Sequence, residues 1–379
     1  MLTNADIAEL TDLRRDLHRH PELSGAEHGT AARVAGLLRD LGADELRTGI
    51  GGTGVLAAFR GAEPGPSVMF RAELDALPIT EADSLPHRST VAGVAHLCGH
   101  DGHICGVLGL GRLLSRQRPQ RGVVWLLFQP AEEDGSGAAA MLADARLPAF
   151  DYGFAIHNYP GLAQGQARLQ AGVMNCASVG MRVRLTGATA HASEPEKART
   201  PTLAVAVILP ALLALSQGSP GAPGYRLVTI THLSMGVPAF GITPGEAEIW
   251  ATLRTSTDEG MADLRQQAMQ TVRDAAVDRG LAVDFDWQDD FAASVNDPQA
   301  TALMAEAARA AGFQLSDADL PLRASEDFGR FGSRGRCAMI FLGAGADRPP
   351  LHAQDYDFPD DLIAPSVTLF HALARRLTG

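Results

Sequence analysis

Residues 123–134 read VVWLLFQPAEED: an unbroken apolar run from Val123 to Phe128, then Gln129-Pro130-Ala131, then Glu132, Glu133 and Asp134. A strand with one wet face alternates polar and apolar residues, so a run without alternation marks a strand buried on both faces. Runs of the same kind recur at residues 55–59, 68–70, 152–156 and 338–342, and residues 104–114 suit a buried helix between two of them. Buried strands alternating with helices predict an α/β sheet covered by helices. Upstream, Ile7, Leu10, Leu13 and Leu17, then Val34, Leu37, Leu38 and Leu41, follow helical spacing, and His20-Pro21-Glu22 divides them into two helices.

The pattern changes near Cys176. Residues 178–185 alternate, with Val179, Met181, Val183 and Leu185 on one face, as a half-exposed strand does. An apolar helix at 202–215, a turn-rich stretch at 217–224, strands at 227–231 and 247–253, a charged helix at 259–279 and a strand at 282–287 follow. After Asn296-Asp297-Pro298 a helix at 299–312 and the buried strand at 338–342 return to the first style. The expected organisation is one domain, residues 1–176 and 289–379, interrupted by a smaller α+β domain at 177–288.

Composition narrows the function. Of 379 residues, 46% are hydrophobic and 20% charged, enough to bury a core. The formal net charge is −12 with no basic block, which argues against nucleic acid or an anionic membrane surface as partner and favours small-molecule chemistry. The first residues contain no apolar signal region, and the longest apolar run, 203–215, includes Pro210 and falls short of the roughly 20 residues a membrane span needs. Four cysteines without a CxxC pair read as reduced thiols in a cytoplasmic protein.

Chemistry concentrates in a few short stretches. HLCGHDGH at 96–103 offers His96, Cys98, His100 and His103; positions 96, 98 and 100 share a face if the stretch is extended. Thiolate and imidazole suit borderline-soft divalent metals, although a buried cysteine beside hydrogen-bonded histidines would read the same way. Glu132 and Glu133 follow a buried strand, where open α/β sheets place ligands. One could hold a cation while the other serves as general base; a solvated acidic turn is the alternative. Asp75, His157 and His352 also follow buried strands, with a turn cap or ordinary loop histidines as alternatives. Converging on one rim, these groups exceed the needs of one tetrahedral zinc and suggest two adjacent ions.

HLCGHDGH, FRAELDALP (70–78), FQPAEED (128–134), AIHN (155–158), SEDF (325–328) and LHAQDYDF (351–358) together resemble the metal-dependent aminoacylase and carboxypeptidase family. The similarity is to the branch with hippurate hydrolases and plant auxin-conjugate amidohydrolases, and it spans essentially the whole chain. It implies a zinc-peptidase-like catalytic domain, a mixed sheet covered by helices, interrupted by a lid or dimerisation domain through which a homodimer forms. The implied activity is amide hydrolysis of small N-acyl amino acids, with dipeptides as the alternative substrates.

Mapped residue by residue, the resemblance implies two divalent ions (zinc, manganese, cobalt or nickel) on Cys98, His100, Glu133, His157 and His352, with Asp75 and Asp101 behind them. Glu132 becomes the general base; His191, in GATAHASEP, the oxyanion stabiliser and substrate contact; and Arg254, in LRTS, the partner of a substrate carboxylate. Without the family, His191 reads as a surface histidine and Arg254 as half of a surface ion pair. The chain departs from the branch at HASEPEKART, which lacks a second histidine in a Pro-His context. It departs again at Gly241-Ile242-Thr243-Pro244, where an Asn-x-Ile-Pro segment is usual. Two rival readings remain: Cys98 as a nucleophile with His100 as base and Asp101 as orienter, or a non-catalytic metal-dependent binding protein.

Overall fold

The computed structural model describes residues 1–82 and 85–379. They form two compact units: Met1–Met174 with Val295–Leu320 and Glu326–Gly379, and Asn175–Ser294 with Pro321–Ser325. The break expected after residue 288 falls inside the strand Ala282–Phe291, and residues 321–325, expected in the first domain, belong to the second unit.

The first unit is built on an eight-stranded mixed sheet in the order Glu45–Ile50, Gly54–Arg60, Arg121–Gln129, Glu63–Glu73, Tyr152–Pro160, Arg336–Gly345, Gln166–Arg168, Gln314–Ser316. The four strands from Arg121–Gln129 to Arg336–Gly345 run parallel, so their carboxyl ends share one rim. Glu73 pairs with Gln129, and His157 with Phe341. The expected strand at 68–70 extends through Glu63–Glu73, because the charged Arg71 and Glu73 bond each other inside the sheet.

The helices Asn4–Arg19 and His28–Asp40 end and begin around the expected break at Pro21. Thr3 caps the first: its hydroxyl accepts from Asp6 N–H, while Asp6 accepts from Thr3 N–H at 2.8 Å. Asp297 accepts from Gln299 and Ala300 N–H at the start of Pro298–Ala310, whose first residue is proline. Several elements lie outside the sequence expectations, among them the strand Glu45–Ile50, the short strands Gln166–Arg168 and Gln314–Ser316, and the helix Ile363–Thr378. That helix buries Val367, Phe370 and Leu373 against the sheet layer, each worth about 1.5–3 kcal/mol relative to exposure.

In the second unit a four-stranded antiparallel sheet, ordered Arg226–Met235, Glu246–Thr255, Ala177–Thr186, Ala282–Phe291, packs against the helices Thr202–Leu213 and Asp258–Val277. Val179, Met181, Val183 and Leu185 are buried, as the alternation requires. Thr202–Leu213 is apolar all round. It buries Ala204, Val205, Ile208 and Leu212, and leaves Leu203, Val207 and Leu213 exposed. Among the described residues no helix is long and apolar enough to cross a membrane.

Candidate metal centre

The rim of the first sheet collects the chemistry. Gly99 adopts φ 95°, and a Cβ there would lie 2.5 Å from the Asn158 side-chain oxygen, so glycine alone permits the helix His100–Arg116 to begin at this point. The stretch from 96 to 100 is therefore not extended throughout, and Cys98 and His100 lie on either side of a left-handed residue. Cys98 Sγ is 3.5 Å from His157 Nε2, while His157 Nδ1 donates to its neighbour's carbonyl, Asn158 O, at 2.8 Å. His100 Nδ1 donates to Asp75 O at 2.9 Å, leaving Nε2 facing Glu132 and Glu133, each with an oxygen 3.8 Å away. His352 Nε2 lies 3.5 Å from Glu133. The bonds to the Asp75 and Asn158 carbonyls leave Nε2 as the free nitrogen of His100 and His157.

Five groups of potential ligand atoms result, the atoms of each within 4.8 Å of one another; three of them draw only on Cys98, His100, Glu132, Glu133, His157 and His352: Cys98, His100 and His157; Cys98, Glu133 and His352; and His100, Glu132 and Glu133, while the other two are Glu73, His100 and His103, and Glu132, Glu326 and Asp327. The first two share only Cys98. His100 Nε2, Glu133 Oε1 and Asp75 Oδ1 are buried without a hydrogen-bond partner, a costly arrangement that a cation would relieve. A thiolate, imidazoles and a carboxylate also form the donor set that borderline-soft divalent ions prefer. The residues fit a metal.

Electrostatics point the same way. Burial, then His103, lowers His157 to about 3, so its ring is a neutral donor at neutral pH. Burial disfavours charging His100, but Asp75, Glu73 and Glu133 outweigh it and raise the imidazole to about 10. Burial pushes Glu133 up to about 7 despite nearby His100, and burial with Glu326, Glu133 and Asp327 holds Glu132 well above the usual carboxylate range. The site thus crowds carboxylates around positions where protons stand in for positive charge.

Not every expected neighbour joins this centre. Asp101 accepts from His18 Nδ1 at 2.8 Å and from Gly102 N–H at 2.9 Å, and it lies 3.5 Å from Arg14. Successive helical residues point about 100° apart, so with His100 aimed at the rim Asp101 turns to the first helix instead. Asp75 does stand behind the centre: its Oδ2 accepts from Ser24 Oγ at 2.7 Å and Glu133 N–H at 2.9 Å, and Oδ1 is 3.3 Å from His100 Nδ1. His103 spends both nitrogens on Glu73 and Asn158. His96 is buried and joins none of the five groups.

The nucleophile reading loses its geometry here. Asp101 orients His18, the imidazole in contact with Cys98 is the weakly basic His157, and burial with Glu133 and Glu132 pushes the thiol well above its ordinary value.

Two expected residues lie in the second unit. His191 is exposed in the short strand Ala190–His191, which pairs with Ile242–Thr243, so the segment that departs from the family pattern lies directly against it. Arg254 Nη1 donates to Arg323 O and Ser325 Oγ, both at 2.8 Å; among the described residues it meets no carboxylate, so the surface ion pair is not formed. The residues that sequence reasoning missed are Glu27, Arg71, Gln129, Glu326 and Asp327, all buried beside or beneath Glu132. A signal exists for three of them, Arg71 in FRAELDALP and Glu326 and Asp327 in SEDF, as charged residues beside apolar ones; Gln129 lies in FQPAEED, and Glu27 lies in none of the motifs.

A rim of this composition, with orphaned donor atoms and a spare carboxylate, defines a metallohydrolase centre. The model of Peptidase family M20/M25/M40 matches residues 69–376, and the chain belongs to that family. It is 31% identical over 371 residues to the hippurate hydrolase of Campylobacter jejuni, covering 97% of this chain and 96% of that protein. It is 30% identical over 370 residues to the N-acetyl-L-cysteine deacetylase of Bacillus subtilis, covering 97% and 88%. The crystal structure of the Bacillus subtilis YXEP protein, a dinuclear metal-binding peptidase of the M20 family, superposes with a TM-score of 0.83 at 27% identity, covering 99% of each chain.

Proposed function

We propose that this protein hydrolyses the amide bond of an N-acyl amino acid, releasing a carboxylic acid and an amino acid, with Glu132 as general base. One observation carries the reading: a buried carboxylate, raised in basicity, stands 3.8 Å from the free nitrogen of His100 without being needed for the two groups that share Cys98. A binding protein needs no such spare base. Cys98, His100, Glu133, His157 and His352 would hold two divalent ions, which when bound supply Lewis acidity, acidifying water and polarising the scissile carbonyl. Glu132 takes the proton of the attacking water and delivers it to the leaving amine as the C–N bond breaks. The hydrolase and deacetylase relatives support an acyl-amino-acid substrate, and the peptidase structure supports dipeptides as the second reading. A screen of N-acyl amino acids and dipeptides with added manganese, zinc or cobalt, read as free amine, tests both. Cleavage of dipeptides alone favours the second, and a blank screen overturns the hydrolase assignment.

His191 stabilises the oxyanion in this reading. Its Nδ1 accepts from Ser193 N–H at 3.2 Å, which puts the ring proton on Nε2, the tautomer that donates outward. His191→Ala is expected to lower kcat by about 10²–10³-fold, the cost of one oxyanion donor. Near-normal turnover would remove it from the mechanism. Arg254, lacking a carboxylate of its own, is assigned to the substrate carboxylate.

We also assign the exposed apolar stripe of Thr202–Leu213, with Leu203 65%, Val207 48% and Leu213 47% exposed, to a second copy of this chain. The neighbouring edge strand Arg226–Met235, with Leu233 and Met235 exposed, extends that surface. Leu203→Asp is expected to convert a dimer to a monomer in sedimentation; a wild-type monomer at assay concentration would refute the assignment. Four free, buried cysteines support a reducing, cytoplasmic location.

A further inference from the structure

Glu132 sits in a turn whose backbone is unusual. Ala131, immediately before it, has φ 48°, a left-handed conformation uncommon for a residue with a side chain. The turn is also tight: Gly137 N–H donates to Ala131 O at 2.9 Å, and a Cβ on Gly137 would fall 1.7 Å from Pro130 O. Such a conformation persists only where its surroundings over-determine it.

Two buried carboxylates distant in sequence do so. Glu27 Oε1 accepts from Ala131 N–H at 2.8 Å and from Gly25 N–H at 2.8 Å, while its Oε2 accepts from Thr53 Oγ1 at 2.6 Å. Asp327 grips both flanks of the turn: it accepts from the Gln129 side-chain amide at 2.7 and 2.8 Å and from Ala138 N–H at 2.9 Å. Arg71 in turn donates to Asp327 at 2.8 Å, to Glu326 at 2.9 Å and to Gln129 Oε1 at 2.9 Å. Glu27 belongs to no group of potential metal ligands; Glu326 and Asp327 form one with Glu132, but Arg71 already donates to both. All are fully buried, where an unsatisfied carboxylate or guanidinium is costly.

We propose that Glu27 and the Arg71–Asp327 pair are positioning residues: they hold the left-handed turn at Ala131 and thereby aim the Glu132 carboxylate at the space beside His100. The inference rests on Glu132 being the base. Glu27 makes the bond closest to the strained residue, so it is the sharper probe.

Glu27→Met, of similar volume but with no acceptor, is expected to lower kcat about 10–100-fold, as a misplaced catalytic group does, with KM and bound metal unchanged. Glu27→Gln keeps one acceptor oxygen and should stay within a few-fold of wild type. The decisive variant is Glu27→Met combined with Ala131→Gly: glycine adopts positive φ without a clamp, so kcat should recover most of the loss. A kcat loss that Ala131→Gly does not restore, or a loss of metal in Glu27→Met, would overturn the proposal. If Glu27→Met fails to fold, Ala131→Val carries the test, since a β-branched residue makes the left-handed turn costlier while Glu27 remains; unchanged kcat there would also overturn it. Should Glu132→Gln itself retain activity, the base assignment fails separately, whatever Glu27 does.

Discussion

Replacing Glu132 by Gln is expected to lower turnover by about 10²–10⁴-fold, the contribution of a positioned general base, while metal binding and substrate KM change little. The amide keeps the size of the carboxylate but cannot accept a proton from water. Glu132 joins the groups of His100 and Glu133 and of Glu326 and Asp327, whereas Cys98, His100, His157, Glu133 and His352 make up the two groups that share Cys98 without it. Metal analysis of the purified variant beside its kcat separates the outcomes. Full metal content with lost turnover is the expected result, and loss of metal would make Glu132 a ligand and leave the base unassigned.

Glu133→Ala should do the reverse and release metal. Glu133 is a member of two of the five groups, and its buried Oε1 has no other partner. Loss of an outer-shell partner costs about 10–100-fold in metal affinity, so loss of a ligand should cost at least about 100-fold, with activity falling in step at limiting metal. The pH dependence gives a second signature. Burial raises Glu133 to about 7 in the metal-free protein, so below that value it binds a proton that an incoming cation must displace. Affinity should therefore rise as pH increases through about 7, and chelator competition should show part of that slope vanish in Glu133→Ala. A slope identical to wild type would remove Glu133 from the metal site.

The contrast between Asp75 and Asp101 shows where local reading succeeds. Both were expected behind the metal ligands. Asp75 lies there because it directly follows a buried parallel strand, and strand ends are positioned by the sheet. Asp101 does not, because His100 opens a helix, and adjacent helical residues diverge. The strand expected at 68–70 runs on to Glu73 for a related reason: Arg71 and Glu73 look like its end until their buried partners are known.

From the sequence alone came the buried strands, the alternating strand of the second unit, and the adjacency of Cys98 to His100 and of Glu132 to Glu133. Each is a property of one short segment, in which side-chain periodicity reports directly on which faces water reaches. Only the tertiary structure decided which histidines keep a free nitrogen, that Asp101 serves His18, and that Glu27 and Asp327 grip the turn carrying Glu132. The pairing of Asp101 with His18 spans 83 positions, and the grip on the turn depends on hydrogen bonds spanning 104 and 198, Glu27 with Ala131 and Asp327 with Gln129. Such pairing leaves no periodic mark in either segment, because a charge buried against a distant partner looks, in its own stretch of chain, like a charge facing solvent.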